Sequence, residues 1–82
     1  MEAVSWFVYS LRCADDSLYT GITNDLQRRC LQHNRGTASR YTRGRGPVRL
    51  VYQETHDNRS SALKREAAVK ALARHRKETL LK

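Results

Sequence analysis

The chain has 82 residues, 39% of them hydrophobic, enough for one core and too few for two. Its 16 Lys and Arg against 8 Asp and Glu leave a net charge of +8, so a polyanion, nucleic acid first, is the expected partner; a solvated basic surface and ribosome association are the other readings of that excess. Two cysteines make no disulfide framework, and with no signal peptide and no apolar run near ~20 residues the chain reads as one reduced, soluble, cytoplasmic domain over 1–82 without a membrane partner.

Val4 to Cys13 (VSWFVYSLRC) is rich in aromatic and β-branched residues, which predicts a strand. Alternation sends Trp6 and Val8 one way and Phe7, Tyr9 and Leu11 the other, so the strand should be covered on both faces. Ala14 to Ser17 is a turn by composition, and Leu18 to Thr23 returns as the second strand of an antiparallel hairpin. Register decides whether the phenols of Tyr9 and Tyr19 cooperate. Pairing Tyr9 with Gly21 and Leu11 with Tyr19 makes them diagonal neighbours on one face, about 7–8 Å apart; a slip of one residue separates them. Gly21 should either leave open space over the sheet for a substrate backbone or mark a strand irregularity.

Thr23 or Asn24 is placed to cap a helix running to about Asn34 and ended by Gly36. Leu26 and Cys30 face its core, while Arg29 and His33, four apart, share a flank of that apolar stripe. Arg35 to Pro47 (RGTASRYTRGRGP) is expected to be a mobile loop with one helical turn near Ser39 to Thr42. Its arginines and Tyr41 suit phosphate contacts and base stacking, and suit a plain surface loop nearly as well. Val48 to Glu54 alternates as a third strand. His56 to Arg59 reads as a loop, Ser60 or Ser61 as the cap of a helix reaching Ala73, and His75 to Leu81 as a short final helix.

Glu66 falls on the apolar stripe of that second long helix with Ala62, Val69 and Ala73. A lone carboxylate there needs compensation. An i,i+4 pair with Lys70 is one answer; a divalent metal at a cleft edge is the other. Cys30 and His33 lack a second pair at ligand spacing, so no structural zinc site is expected and Cys30 is a small core residue. His56 and His75 should face solvent. Lys70, Arg74, Arg76 and Lys77 form a second basic cluster, whose plain reading is a solvated helix end.

Phe7-Val8-Tyr9, Tyr19-Thr20-Gly21, Arg29, His33 and Glu66, in this order, resemble the GIY-YIG nuclease family over essentially the whole chain. Tyr19 to Asn34 is most similar to the small stand-alone bacterial members, the YhbQ-like group, and similar also to the catalytic subunit of eukaryotic structure-specific endonucleases. Gly44 to Pro47 and Ala62 to Glu66 strengthen the match. The resemblance implies an α+β fold, a small three-stranded, largely antiparallel sheet flanked by helices in the order β-β-α-β-α-α. It implies a DNA endonuclease acting in repair or recombination on structured or nicked DNA, with RNA a further partner class. Tyr9, Tyr19, Arg29, His33 and Glu66 would be catalytic, Gly21 a structural motif residue, and Glu66 the ligand of Mg²⁺ (or Mn²⁺). Arg28, Arg35, Arg40, Arg43, Arg45 and Lys70 would hold nucleic acid, with Arg49 extending the basic loop. The chain departs from the family at Phe7 and Val8, at Ile22 where some members carry lysine, and in lacking an asparagine in the last helix. These departures imply weak or differently tuned activity. A non-catalytic nucleic-acid-binding module, or a subunit that needs a protein partner, is the rival reading.

Overall fold

The computed structural model describes residues 5–72 and 74–80. The elements are β1 (Trp6–Arg12), β2 (Leu18–Thr23), α1 (Leu26–Arg35), α2 (Arg40–Arg43), β3 (Arg49–His56), α3 (Arg59–Lys70) and α4 (Arg74–Leu80). The order differs from β-β-α-β-α-α only by α2, the helical turn anticipated near Ser39. Val4, Ala73 and Leu81, which the sequence sets at element ends, lie outside the described residues. No described helix is long and apolar enough to cross a membrane.

The fold is α+β, with a three-stranded antiparallel sheet of order β2-β1-β3. β1 takes the centre because both its faces are apolar. On one face Tyr9, Leu11, Cys13 and Val48 form the core, with Tyr19, Leu26 and Cys30 packed against it; α1 covers this side. Val8 and Ser10 alternate with them and face the side where α3 lies across β1 and β2. There Val8, Ala62 and Val69 are buried, and Ser10 and Thr20 satisfy each other through a 3.1 Å hydroxyl bond. The β1–β3 register shifts between Ser10 and Leu11, which pair with Tyr52 and Leu50, so Val51 is the extra residue of a β-bulge.

Several local assignments move. Asp25, rather than Thr23 or Asn24, caps α1 by accepting from the Arg28 amide at 3.1 Å, because Thr23 Oγ1 already accepts from the Asp25 amide at 3.0 Å. Asn58, rather than Ser60 or Ser61, caps α3 through the Ser61 amide at 2.8 Å. Gly36 ends α1 as expected, at φ 78°, where a side chain would be strained. The segment 35–47 is tied down rather than loose. Ser39 caps α2, Arg43 Nε donates to the Gly36 carbonyl at 3.2 Å, and the Ala14 amide donates to the Arg45 carbonyl at 2.8 Å.

Two polar clusters fasten the ends of the sheet. Arg12 grips Glu78 with both Nη atoms, at 2.8 and 2.6 Å, holding α4 to the end of β1 by a bidentate pair. His56 belongs to β3 and is not turned to solvent. It bonds Glu54 at 2.8 Å and Ser61 at 2.6 Å, while Tyr52 and Arg65 also donate to Glu54. Burial pushes the Glu54 pKa up, but the bonds from Tyr52, His56 and Arg65 outweigh it and hold the carboxyl below its ordinary value. His75 is exposed as expected.

The hairpin pairs Tyr9 with Gly21 and Leu11 with Tyr19, as the alternation required. The space over Gly21 is not open, however. Tyr9 lies across it, so that a Cβ on residue 21 would meet the Tyr9 hydroxyl at 2.7 Å and its ring carbon Cζ at 2.9 Å. Tyr9 is 1% exposed and has little room to yield. Gly21→Ala should therefore destabilise the chain by about 1–3 kcal/mol, the range of overpacked cores, measured as a lower urea midpoint with unchanged slope. An unchanged midpoint would mean that the phenol does not occupy this place.

Candidate active site

The α1 side of the hairpin carries a buried chain of hydrogen bonds. Tyr9 Oη lies 2.8 Å from His33 Nε2, and His33 Nδ1 lies 2.8 Å from Thr42 Oγ1. Thr42 Oγ1 donates in turn to the Ser39 carbonyl at 3.3 Å. Tyr9, His33 and Thr42 are all at or below 1% exposure. Bond direction follows from proton count. The single Thr42 proton goes to Ser39, so Thr42 accepts from Nδ1–H. Nε2 is then the acceptor, and Tyr9 donates to it. Burial, aided by the Arg29 charge, holds the His33 pKa below its ordinary value, so the imidazole is neutral. Tyr9 is pushed up to about 12 by burial and then by Tyr19, with Arg29 pulling the other way. It is a phenol that keeps its proton.

Tyr19 stands at the rim. Its ring centroid is 6.4 Å from that of Tyr9 and 5.0 Å from that of His33. Unlike Tyr9 it is only half-buried, and its hydroxyl has no hydrogen-bond partner among the described residues. Tyr41 packs on its outer side at 5.9 Å, and the Arg45 guanidinium lies 4.1 Å from the Tyr41 ring centre. Arg45 is further fixed by the Tyr41 carbonyl at 2.6 Å and by Asp15 at 3.1 Å. Tyr41 thus buttresses Tyr19 and carries Arg45 on its ring, while remaining 38% exposed.

Arg29 completes this side. Nη1 donates to Gln32 at 3.1 Å. Its Nε is the one buried side-chain nitrogen or oxygen without a hydrogen bond among the described residues. Buried donors are seldom left so.

Tyr9, Tyr19, His33 and Arg29 are therefore brought together. Glu66 is not joined to them by any hydrogen bond or ion pair among the described residues. Its half-buried carboxylate pairs with Lys70 at 3.5 Å, the i,i+4 arrangement read from the sequence. Arg28, Arg35 and Arg40 are exposed, whereas Arg43 and Arg45 are engaged within the chain, so the basic set free to meet a polyanion is smaller than the composition suggests. The side chain of Arg74, expected in the second basic cluster, lies outside the described residues. Sequence reasoning missed Thr42. Its only sequence signal is its place three residues after the α2 cap, which turns it inward beneath α1.

Residues 5–79 match the family model described as the GIY-YIG catalytic domain. The chain belongs to the GIY-YIG family. It is 54% identical over 79 residues to the UPF0213 protein of Desulfotalea psychrophila, covering 95% of this chain and 72% of that protein. It is 47% identical to the UPF0213 protein of Natronomonas pharaonis, over 96% of this chain and 93% of that one. Solution NMR structures share the fold. The UPF0213 protein of Bacillus halodurans aligns at TM-score 0.62 with 44% identity, and an E. faecalis protein at 0.64 with 43%, each over 94% of this chain and 82% of the other. The GIY-YIG resemblance carried by Tyr9, Tyr19, Gly21, Arg29, His33 and Glu66 is thus a family membership.

As a donor set for a metal, Glu66 is a single carboxylate. Among the described residues no group of three or more His, Cys, Asp or Glu could hold an ion. This fits a hard cation such as Mg²⁺, which keeps its waters and takes one or two carboxylates together with substrate phosphate. It does not fit a caged structural ion.

The buried, neutral His33 gives the GIY-YIG domain a pH signature. The unfolded chain takes up this proton as pH falls through about 6.5, the folded chain only at lower pH. The stability due to His33 is full above the unfolded value and is lost as pH falls from there through the folded one. An NMR titration of the three imidazoles should give His33 a midpoint below 6.5, with the denaturation midpoint dropping over the same interval. A His33 midpoint at or above the ordinary value would contradict the neutral, Tyr9-accepting form.

Proposed function

We propose that the chain is a DNA endonuclease that hydrolyses a phosphodiester bond with one divalent metal ion, on structured or nicked DNA. One observation supports this most: the oriented Tyr9–His33–Thr42 chain behind an open Tyr19 hydroxyl, with the unpaired Arg29 Nε beside it. A merely structural cluster would have no use for a buried guanidinium nitrogen without an acceptor. A phosphate oxygen supplies that acceptor and is held where charge develops in the transition state.

Proton handling follows from the bond directions. Tyr9 is sealed from water, so Tyr19 is the phenol that meets the attacking water. Tyr9 can take up a proton only by passing its own to His33 Nε2, while Nδ1–H stays on Thr42. In the free protein the Arg29 charge opposes that step, because it disfavours imidazolium. A phosphate bound at Arg29 offsets the guanidinium charge and makes His33 a better base. Substrate binding and base strength are coupled through one arginine. Glu66 would hold Mg²⁺ (or Mn²⁺) after releasing Lys70, and the ion, when bound, would supply charge neutralisation at the scissile phosphate and the leaving oxygen. Arg28, Arg35 and Arg40 would grip the backbone, giving salt-sensitive binding with little base readout.

The test is incubation of purified protein with nicked, flap, branched and plain duplex DNA, in Mg²⁺ or in EDTA. Cutting should require the metal and fall by about 10²–10³-fold in Arg29→Ala, and by at least as much in Glu66→Ala. Binding without cutting in any metal would leave a nucleic-acid-binding module instead. Thr42→Val keeps the shape but removes the acceptor for Nδ1–H. It should lower kcat by about 10–100-fold, the usual weight of a supporting hydrogen bond, with KM little changed; an unaltered kcat would remove His33 from proton transfer.

A further inference from the structure

On the other side of Arg29, where β2 runs into α1, a recess of about 270 Å³ opens to solvent. Its walls are of two kinds. Trp6 and Ile22 supply an apolar side; Arg28, Arg29, Asn24 and Gln32 supply two guanidiniums and two amides. Asp25 is the one acid in the lining, against the two guanidiniums of Arg28 and Arg29, so the recess is cationic on balance; the Asp25 carboxylate caps α1. Arg29, whose buried Nε lacks an acceptor among the described residues, is one of the residues lining the recess.

We infer that this recess receives a single unpaired nucleotide, with its phosphate on Arg28 and Arg29 and its base against Trp6. A simple anion would have no use for the indole. A paired base offers no free face to stack on it, whereas an unpaired one does. The volume lies just under the roughly 300–1,000 Å³ of sites for drug-sized ligands, enough for one nucleotide and too small to admit a duplex. Arg59 stands 5.8 Å from the Trp6 ring centre, at the outer limit of a cation–π contact, and is exposed, so a base can displace it. The inference rests on the proposed nuclease reading for the placement of substrate phosphate at Arg29. It narrows the substrate class to DNA with a strand end, flap or gap beside the bond to be cut.

Trp6 is the sole tryptophan, so its fluorescence reports on the recess directly. The full chain, in EDTA, is titrated with 5′-phosphorylated thymidine tetranucleotide, with a blunt hairpin duplex and with inorganic phosphate. Quenching by the tetranucleotide is expected, at least about 10-fold tighter than by the duplex, with no spectral change from phosphate. Arg28→Ala should reduce the slope of log affinity against log salt by about one. In anisotropy assays Trp6→Leu should weaken tetranucleotide binding by about 5–150-fold, the loss of one stacked base, and Trp6→Phe should recover part of it. Unchanged fluorescence, an equal response to phosphate alone, or equal affinity for duplex would overturn the inference. The two readings separate cleanly: cutting without Trp6 quenching removes the nucleotide site and keeps the nuclease, while quenching without cutting does the reverse.

Discussion

The hydrogen bond from Tyr9 to His33 joins the two halves of this small protein. It links the central strand to the first helix through side chains that are almost wholly buried, where an unsatisfied partner would be costly. Much else is arranged to permit it. Gly21 gives up its side chain so that the phenol can lie across β2. Thr42 comes in from α2 to hold the far nitrogen, which fixes the tautomer and with it the direction of every bond in the chain. The same bond makes Tyr9 a donor and leaves Tyr19 as the more accessible of the two motif phenols.

A chain with a net charge of +8 invites the view that its arginines form a general polyanion surface. Many are instead structural. Arg12 clamps Glu78, Arg65 joins the Glu54 cluster, Arg43 closes the end of α1, and Arg45 lies over Tyr41. Planar, multi-donor guanidinium suits all four tasks in a way that lysine would not. Part of the positive charge left to act outwardly lies around α1, at Arg28, Arg35 and Arg40, near the guanidinium of Arg29, whose Nε is buried without an acceptor among the described residues.

How much of this was legible in the sequence depended on the range of the interaction. The hairpin register was readable because strand period and the spacing of Tyr9, Tyr19 and Gly21 are local. The end of α1 was readable from Gly36, and the Glu66–Lys70 pair from helical spacing. Caps were not. Thr23, Asn24 and Asp25 are all competent, and a single Thr23 hydroxyl bond decided among them. His56 and Thr42 were beyond reach because their partners come from other elements, and polar residues next to loops read as solvated until packing turns them inward. The role of Gly21 was misread for the same reason: the sequence reveals a missing side chain but not the ring that takes its place. The grouping of Tyr9, Tyr19, Arg29 and His33 followed from order and spacing. Glu66, arriving on α3, has no hydrogen bond or ion pair with them among the described residues and pairs with Lys70 instead.

Hairpin tips ordinarily tolerate insertions and sequence drift. The tip between β1 and β2 is different here. Its Ala14 amide and Asp15 carboxylate both hold Arg45, Arg45 lies over Tyr41, and Tyr41 rests on Tyr19. Length and composition at this turn are therefore transmitted, ring by ring, to Tyr19. In this chain the turn belongs with the motif residues as a determinant of how Tyr19 is presented, although it lies outside both tripeptides.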